Sequence, residues 1–391
     1  MTNQRQKRLK KIMVAATISG IAGRDYLSGV FKFAGKGREW NLEVLDDPAT
    51  LDKRVRQSEE PDGVIIMLPH ENPTLVSLQR RNIPTVVVDF PPKGFAAMRG
   101  SLSFVRLNDA EIGAAAAKHL LDRGNFNSFL CVIDQPQFAY SRVRESAFRE
   151  RLKATGRFIK TVLISDIRAT ERDQRALLLT LKRLPRPVGV FVTRDRAASR
   201  VYDACRDLGF SIPDEVAVIG VDNDELFCNT AAVPLSSILP DHAQVGYLAA
   251  KELNRLLHGG TGKETVFRKS VREVVLRAST RIIPPTARIV AEALAFIEDN
   301  ASGSLSVADV VEHIGISRRL ADLRFRQIRN ETILDAIVRA RIGRIKKRLL
   351  TSSDPLSRIA ADCGFSSAAV FSRFFRTHVG ETPQDWRLKR H

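Results

Sequence analysis

Residues 11 to about 280 alternate short runs of β-branched residues with longer amphipathic stretches, and this alternation restricts the fold more than any other feature. The short runs predict buried strands, and apolar residues at helical spacing predict helices. The predicted strands are residues 12–17, 42–45, 63–67, 85–89, 129–133, 161–164, 188–192 and 216–221. The predicted helices are residues 111–121, 141–154, 172–181, 197–208 and 244–257. This order predicts an α/β fold with parallel sheets covered on both faces.

The length of the alternating segment indicates two lobes. About 270 residues is long for one open sheet, so two smaller sheets fit better, with ligands bound between them at the carboxyl ends of the strands. The pattern stops near Arg281-Ile282-Ile283-Pro284-Pro285, where two prolines disfavour a preceding helix. Every later stretch has helical spacing. The sequence therefore predicts a two-lobed α/β domain over residues 1–283 and an all-α domain over residues 284–391.

The charge of the chain is unusually positive for a globular protein. Its 62 lysines and arginines exceed its 44 aspartates and glutamates, which gives a formal net charge of +18. A surface of this kind favours polyanions, with nucleic acid first and an anionic membrane second. No run approaches the length of apolar residues that a membrane-spanning helix needs. The charge alone also fits a basic enzyme, so it needs support from motifs.

The cysteines and the N-terminus bear on the compartment. Four scattered cysteines without a C-x-x-C pair predict reduced core residues of a cytoplasmic protein. No group of histidines and cysteines has the spacing of metal ligands, so we expect no metal and no cofactor. A basic run at residues 5–11 before an apolar run at 12–22 is similar to a signal peptide. The strand–helix pattern that follows favours a first strand there instead.

Residues 305–329 predict a short helix, a glycine turn and an arginine-rich helix. Ser306 can cap the first helix, and Gly315 can end it, because this turn needs a residue that tolerates positive φ. Ser317 can cap the second helix, which carries Arg318, Arg319, Arg324, Arg326 and Arg329. The pattern is that of a helix-turn-helix unit, although many helical hairpins are similar.

The same arrangement recurs around Gly364, 49 residues after Gly315. A helix over residues 357–363 precedes Gly364, and either Ser366 or Ser367 can cap a second helix over residues 368–378. Asn330-Glu331-Thr332 and Gly380-Glu381-Thr382 follow the two second helices alike. The repeat predicts two helix-turn-helix units, and a generic helical bundle with a basic face is the alternative.

The segment between the two units predicts one long helix. Its apolar stripe at helical spacing consists of Leu334, Ile337, Ile342, Ile345 and Leu349. A helix of about 17 residues spans roughly 25 Å. It can hold the two second helices about one DNA turn apart, near 34 Å, so that both face the same side of a duplex.

Residues 287–391 resemble the DNA-binding domain of the AraC family. The second unit carries most of the resemblance, through Ile359-Ala360-x-x-Cys363-Gly364-Phe365-Ser366-Ser367-x-x-x-Phe371-Ser372-Arg373-x-Phe375-Arg376-x-x-x-Gly380-x-Thr382-Pro383-x-x-Trp386-Arg387. The first unit departs from the family at three positions. Asn330 replaces a glycine, Ala321 replaces a leucine, and Leu323 stands where a polar DNA-facing residue is common. How the first unit reads bases therefore stays open.

The second helix of each unit carries the candidate DNA contacts. Candidates for base edges are Arg318, Arg319 and Asp322 in the first unit and Ala368, Ala369 and Arg373 in the second. Arginine can donate two hydrogen bonds to guanine, aspartate can accept one from cytosine, and alanine can contact the methyl group of thymine. Candidates for phosphate contacts, which set the register on DNA, are Arg326, Ser366, Ser367 and Arg376.

The α/β domain contains no phosphate-binding loop, nucleophile elbow or zinc-protease motif. Four polar groups follow predicted strands or lie at a loop-to-helix junction, where α/β folds bind ligands. They are Arg24-Asp25, Arg144, Arg194-Asp195 and Asp222-Asn223. Arginines can donate to vicinal hydroxyls and aspartates can accept from them, while Phe138 and Tyr140 can cover the apolar face of a sugar. A capping or surface role is the alternative for any one charge.

This domain resembles the sugar-sensing core of the LacI/GalR regulators, which is itself similar to periplasmic sugar-binding proteins. The resemblance is carried by Asn108-Asp109-x-x-x-Gly113-x-x-Ala116-x-x-His119-Leu120, Arg144-x-x-x-Phe148, Thr193-Arg194-Asp195 and Ile212-Pro213-x-x-Val216-x-Val218-Ile219-Gly220-Val221-Asp222-Asn223. It implies that Arg144 and Asp222 contact sugar hydroxyls. Arg194 replaces a small polar residue of the family and can change the shape of the pocket. We therefore expect an aldose rather than one particular sugar, with xylose as one candidate.

Together these features predict a cytoplasmic, sugar-responsive transcription regulator that binds specific double-stranded DNA. We expect a homodimer on paired half-sites, a possible contact with RNA polymerase and activation of sugar-catabolic genes, although the residues do not separate activation from repression. Two alternatives remain. One is a sugar enzyme with a DNA-binding tail, which a turnover assay would detect. The other is an architectural DNA-binding protein whose α/β domain only dimerises, which a sugar-binding screen would separate.

Overall fold

The computed structural model describes residues 8–36, 40–46, 48–57, 60–67, 73–91, 100–134, 136–164, 171–281, 285–301 and 305–389. Contacts between Cα atoms divide the chain into two compact units, Met1–Ile282 and Ile283–His391. The first unit is α/β and the second is helical. Within the described residues, no helix is both long enough and apolar enough to cross a membrane.

The first unit contains all strands of the described residues. They are β1 (Lys10–Ala15), β2 (Trp40–Leu45), β3 (Gly63–Met67), β4 (Thr85–Val88), β5 (Leu102–Leu107), β6 (Ser128–Ile133), β7 (Phe158–Leu163), β8 (Val188–Val192), β9 (Val216–Val221), β10 (Ser236–Pro240), β11 (Glu264–Phe267) and β12 (Val271–Val275). The helices of this unit are α1 (Ile21–Ala34), α2 (Pro48–Gln57), α3 (Pro73–Arg80), α4 (Asp109–Arg123), α5 (Ala139–Lys153), α6 (Glu171–Arg183), α7 (Ala198–Leu208), α8 (Glu225–Thr230) and α9 (His242–Leu256).

The strands form two six-stranded sheets, which confirms the prediction of two lobes. The first sheet has the order β11-β5-β4-β3-β1-β2 and is parallel throughout. The second has the order β12-β10-β9-β8-β6-β7. Its edge strand β12 runs antiparallel to β10, so the prediction of purely parallel sheets was wrong at this edge. An antiparallel edge strand needs no crossover helix, and a short return from the other lobe is sufficient here.

The chain passes between the two lobes three times, and one buried serine joins the three crossings. The first crossing lies at Asn108 between β5 and α4, the second at Asp241 between β10 and α9, and the third between β11 and β12. Ser270, in the third crossing, accepts a hydrogen bond from Asn108 N at its Oγ (2.7 Å) and another from Asp241 N at its carbonyl oxygen (2.9 Å). This arrangement ties the crossings into one hinge.

Helices α1 and α9 pack backbone against backbone in the first lobe. A Cβ added at Gly246 would lie 1.9 Å from the carbonyl oxygen of Tyr26, and one added at Gly29 would lie 1.9 Å from that of Ala243. Real Cβ atoms do not approach so closely. The two glycines therefore permit the short distance between these helices.

We expect Gly246→Ala to destabilise the first unit by about 1–3 kcal/mol, because the added methyl group forces the two helices apart. Chemical denaturation of the full chain measures this change. The matched control is Gly343→Ala in a helix of the second unit, where the added Cβ meets open space. That change should stabilise the second unit by about 0.5–1 kcal/mol. Equal effects of the two substitutions would contradict the packing argument.

Every element that the structure describes in the second unit is a helix. These helices are α10 (Pro285–Asn300), α11 (Val307–Ile314), α12 (Arg318–Arg329), α13 (Ile333–Thr351), α14 (Leu356–Asp362), α15 (Ala368–Val379) and α16 (Pro383–Leu388). Two hydrophobic clusters share α13. Ile333 and Ile337 belong to the cluster with Phe325, whereas Ile345 and Leu349 belong to the cluster with Phe375. The predicted long helix is confirmed, but Leu334 is 57% exposed, and Ile333 begins the buried stripe instead.

The capping residues of the two helix-turn-helix units agree with the sequence pattern. Ser306 and Ser317 accept hydrogen bonds from the backbone N–H groups of Asp309 and Leu320, and Ser367, rather than Ser366, caps α15. Gly315, Asn330, Gly364 and Gly380 all have positive φ. Asparagine is among the few non-glycine residues that adopt this conformation readily. Asn330 therefore performs the same role as Gly380, and the departure from the AraC pattern does not change the helix end.

Candidate ligand cavity and DNA-contacting surface

A cavity of about 340 Å³ lies at the carboxyl ends of the strands in the first unit. Residues from both lobes line it, including segments that follow β1, β4 and β5 in one lobe and β8 and β9 in the other. Of the predicted ligand residues, six line the cavity: Phe138, Tyr140, Arg144, Arg194, Asp195 and Asp222. The volume is at the small end of the range for ligand pockets, which suits a small molecule.

Arg144 on α5 is a buried cation in the cavity wall. Its Nε donates to Asp109 Oδ1 at 2.8 Å and its Nη1 donates to the carbonyl oxygen of Thr193 at 2.8 Å. Both side chains of the ion pair are at most 5% exposed. Burial alone would lower the pKa of Arg144, but Asp109 and Asp222 raise it above the ordinary value, so the guanidinium stays charged.

An aromatic pair forms another part of the wall. The rings of Phe138 and Tyr140 stack with a centroid distance of 5.6 Å, and the guanidinium carbon of Arg144 lies 4.8 Å from the Tyr140 centroid. Burial raises the pKa of Tyr140 to about 12, so its hydroxyl stays protonated. Arg194 is fixed beside this pair by Asp134, with 3.3 Å between Nε and Oδ2. The wall therefore offers an apolar face next to fixed donors, as a sugar requires.

Asp222 supplies a negative group near the arginines. It has a φ of 102°, and its Oδ1 lies 3.3 Å from His242 Nε2. Burial opposes ionisation of Asp222, but its hydrogen bond with His242, together with Arg144 and Arg194, holds its pKa below the ordinary value. His242 also packs edge to face on Tyr26 at 4.7 Å, and both residues line the cavity.

Three predicted ligand residues, Asp195, Asn223 and Arg24, have hydrogen-bond partners within the protein. Asp195 lines the cavity but accepts hydrogen bonds from Ser237 Oγ, Asp224 N and Cys228 Sγ, and burial, with the charge of Asp222, raises its pKa to about 8. Asn223, Arg24 and Asp25 are not among the lining residues. Asn223 Oδ1 accepts from Arg277 Nη1 at 2.9 Å, and Arg24 Nη1 donates to Ile18 O at 2.8 Å.

Several polar lining residues were missed as ligand candidates, among them Asp89, Arg106 and His242. Asp89 directly follows β4, as Asp222 follows β9, so the same position rule could have found it. Burial raises the pKa of Asp89 to about 7. Arg106 lies inside β5, a strand that the pattern did not predict. His242 begins α9 and reaches the cavity only because the chain crosses between lobes there.

The predicted DNA contacts lie on two separate helices of the second unit. On α12, Arg318, Arg319 and Arg326 are exposed, and Asp322 is half-buried with Oδ2 3.9 Å from Arg318 Nε. On α15, Ala369, Arg373 and Arg376 are exposed and Ala368 is half-buried. The hydroxyl oxygen of Ser367 accepts from Val370 N at 3.3 Å, which leaves its hydrogen available to a phosphate. Ser366 is exposed beside it.

The basic face of α13 is partly neutralised by its own domain. Arg339 Nη2 lies 3.0 Å from Glu331 Oε1, and Arg348 forms an ion pair with Asp362. The exposed arginines of α12 and α15 contribute a cationic surface that favours a polyanion.

Comparison with known families identifies both domains. Residues 101–280 match the periplasmic binding protein-like domain, and residues 310–389 match a helix-turn-helix domain, which is of the AraC type. A two-lobed sensor followed by a double helix-turn-helix domain defines a DNA-binding transcription regulator, and the chain is a regulator rather than an enzyme. The resemblances seen in the sequence are thereby confirmed.

The individual relatives include regulators of one sugar operon. The xylose operon regulatory protein of Haemophilus influenzae is 28% identical over 383 residues, which cover 97% of this chain and 98% of that protein. The corresponding protein of Escherichia coli K12 is 28% identical over 289 residues and 73% of each chain. The solved structure of a xylose-binding transcription activator, xylR, matches 98% of this chain and 99% of its own with a TM-score of 0.63 at 23% identity, which supports the fold.

Proposed function

We propose that the cavity binds an aldose, with xylose as the first candidate, and that binding changes how the second unit binds DNA. The observation that carries this proposal is the grouping of Arg144, Arg194, Asp222 and a stacked aromatic pair around one small cavity. Charged groups that are already fixed by partners can bind hydroxyls without further ordering cost. The names of the relatives support xylose, and Arg194 keeps other aldoses open.

A panel of aldoses in a thermal-shift assay on the full chain tests the ligand. A sugar that binds the folded state stabilises it by about 2.7 kcal/mol at one hundred times its Kd. We expect D-xylose or another aldose to raise the melting temperature of the first unit. The absence of any shift across pentoses and hexoses at millimolar concentration would overturn the sugar proposal, while DNA binding would be unaffected.

We further propose a homodimer on paired half-sites in the cytoplasm, with sugar-dependent activation of catabolic genes through contact with RNA polymerase. Helix-turn-helix dimers bind half-sites about one DNA turn apart, and the charge surface of α12 and α15 supports binding to DNA. Sedimentation of the full chain with selected DNA, followed by transcription with purified polymerase and sugar, tests these points. A monomer on a single site, or repression by sugar, would overturn them.

Two contacts join the cavity to the end of the sensor. Asp109, the partner of Arg144, begins α4, and His119 on the same helix has Nε2 2.8 Å from Thr280 Oγ1. Asn223, next to Asp222, accepts from Arg277 Nη1. Arg277 and Thr280 lie just before Ile283, where the second unit begins. We infer that movement of either cavity carboxylate, Asp109 or Asp222, reaches through these contacts the segment that leads into the DNA-binding domain.

We expect Arg277→Gln to weaken the coupling between sugar and DNA while each still binds. Coupling between two sites is typically 5–150-fold, and it is reciprocal. Removing the contact with Asn223 should bring the ratio of DNA affinities with and without sugar closer to one, because only the contact between His119 and Thr280 remains. The control is Arg175→Gln on the exposed face of α6. Unchanged coupling in the Arg277 variant would show that the signal takes another route.

A further inference from the structure

The two candidate DNA-contacting helices, α12 and α15, have the same length and the same kinds of end residues, so their positions can be compared residue by residue. Both α12 and α15 have 12 residues, a serine cap and a left-handed residue at the end. Phe325 and Phe375 are fully buried at corresponding positions, fifty residues apart. Position 323 of α12 therefore corresponds to position 373 of α15, and position 319 corresponds to position 369.

Position 323 on α12 faces directly away from the hydrophobic core of the first helix-turn-helix unit. Successive helix residues are rotated by about 100°, so a residue two positions from a buried one faces roughly the opposite side. Leu323 lies between Ala321 and Phe325, which are both fully buried, and Leu323 itself is 49% exposed. Arg373 lies in the same way between Phe371 and Phe375. Leu323 thus occupies, in the first helix-turn-helix unit, the outward position at which the second helix-turn-helix unit has Arg373.

The two helices present the same kinds of side chain in opposite order. On α12 the outward pair is Arg319 followed one turn later by Leu323, whereas on α15 it is Ala369 followed by Arg373. Each pair consists of one cation and one apolar group. In the major groove, the matching features of a duplex are the acceptor edge of guanine and the methyl group of thymine.

The neighbours of Leu323 indicate what covers it. Arg319 and Arg326 flank it on the same exposed face, which favours a polyanion over an apolar protein surface. In the major groove, the apolar group that a base edge offers to such a side chain is the methyl group of thymine. Given DNA binding by this domain, we propose that Leu323 contacts a thymine methyl in the DNA segment bound by the first helix-turn-helix unit. The guanine and thymine contacts along α12 then follow the reverse order of those along α15.

The test uses a duplex that the full chain selects from random DNA. Each thymine is replaced in turn by uracil, which lacks the methyl group, and binding is measured for the unaltered protein and for Leu323→Ala. One replacement should weaken the unaltered protein by about fourfold, as expected for one buried methyl group, and should affect the variant much less, because the shorter alanine side chain withdraws from that methyl group. The non-additivity of the two changes identifies which thymine Leu323 contacts.

Leu179→Ala, which removes an exposed leucine from the sensor, is the control and should keep the dependence on that methyl group. As a second variant, Leu323→Arg should select guanine in place of this thymine when the selection is repeated. If no uracil replacement distinguishes Leu323→Ala from the unaltered protein, the contact is absent although DNA binding stands. If the chain selects no sequence at all, base reading by this domain fails together with the contact.

Discussion

Arg144→Met is expected to destabilise the sensor by about 3–5 kcal/mol and to abolish its response to sugar. The substitution removes one partner of a buried ion pair and leaves the carboxylate of Asp109 without its cation. The carbonyl oxygen of Thr193 also loses a donor. Because Arg144 lines the cavity, the same change removes a fixed donor for sugar hydroxyls. Denaturation of the full chain gives the first effect, and the thermal shift with sugar gives the second.

The double variant Asp109→Asn with Arg144→Met separates the two roles. A neutral amide no longer needs a cation, so most of the lost stability should return, and the two substitutions should be strongly non-additive. The response to sugar should remain absent, because the donor is still missing. A double variant that regains the sugar response would limit Arg144 to the support of Asp109.

Arg373→Ala is expected to lose about 1–3 kcal/mol of binding free energy on the selected DNA site and much less on random DNA. The side chain faces directly away from Phe371 and Phe375 and is exposed, so the substitution leaves the fold of the second unit intact. Bidentate donation to guanine contributes about this much to discrimination between bases. Electrophoretic or anisotropy titrations at fixed salt measure both affinities.

Arg376→Ala provides the contrast on the same helix. A phosphate contact weakens selected and random DNA alike and lowers the slope of log affinity against log salt by about one. We expect this behaviour from Arg376, three residues beyond Arg373 and one turn closer to the end of α15. If Arg373→Ala also weakened both DNAs equally, Arg373 would be a phosphate contact too.

Strands whose signal is local were predicted well from the sequence. The predictions for residues 63–67, 188–192 and 216–221 coincide with β3, β8 and β9, because each is an uninterrupted apolar run in the middle of a sheet. Strand β5 was not predicted, since Ser103 and Arg106 interrupt its pattern. In the folded chain Ser103 Oγ donates to Glu252 Oε1, 149 residues away. A pattern along the chain contains no information about such a distant partner.

The candidate site shows the same limit. Arg144 and Asp222 were found because they follow a recognisable motif or strand, and both line the cavity. Asn223 was expected there for the same reason, yet its side-chain oxygen is bound by Arg277. That bond depends on the return of the chain to the second lobe along β12, a crossing that the sequence pattern did not reveal. His242 was missed because its place beside Asp222 depends on another of the three crossings.

The three crossings at Asn108, Asp241 and Ser270 also restrict the order in which the protein can form during synthesis. The first lobe needs α9 and β11, which come from residues 242–267, after nearly all of the second lobe has been made. Until then β5 has an unpaired edge, and the face that α9 covers is exposed on the nascent chain. Unpaired edges of this kind bind other chains readily. The second lobe can assemble most of its sheet earlier, so we expect it to be the first folded part to leave the ribosome.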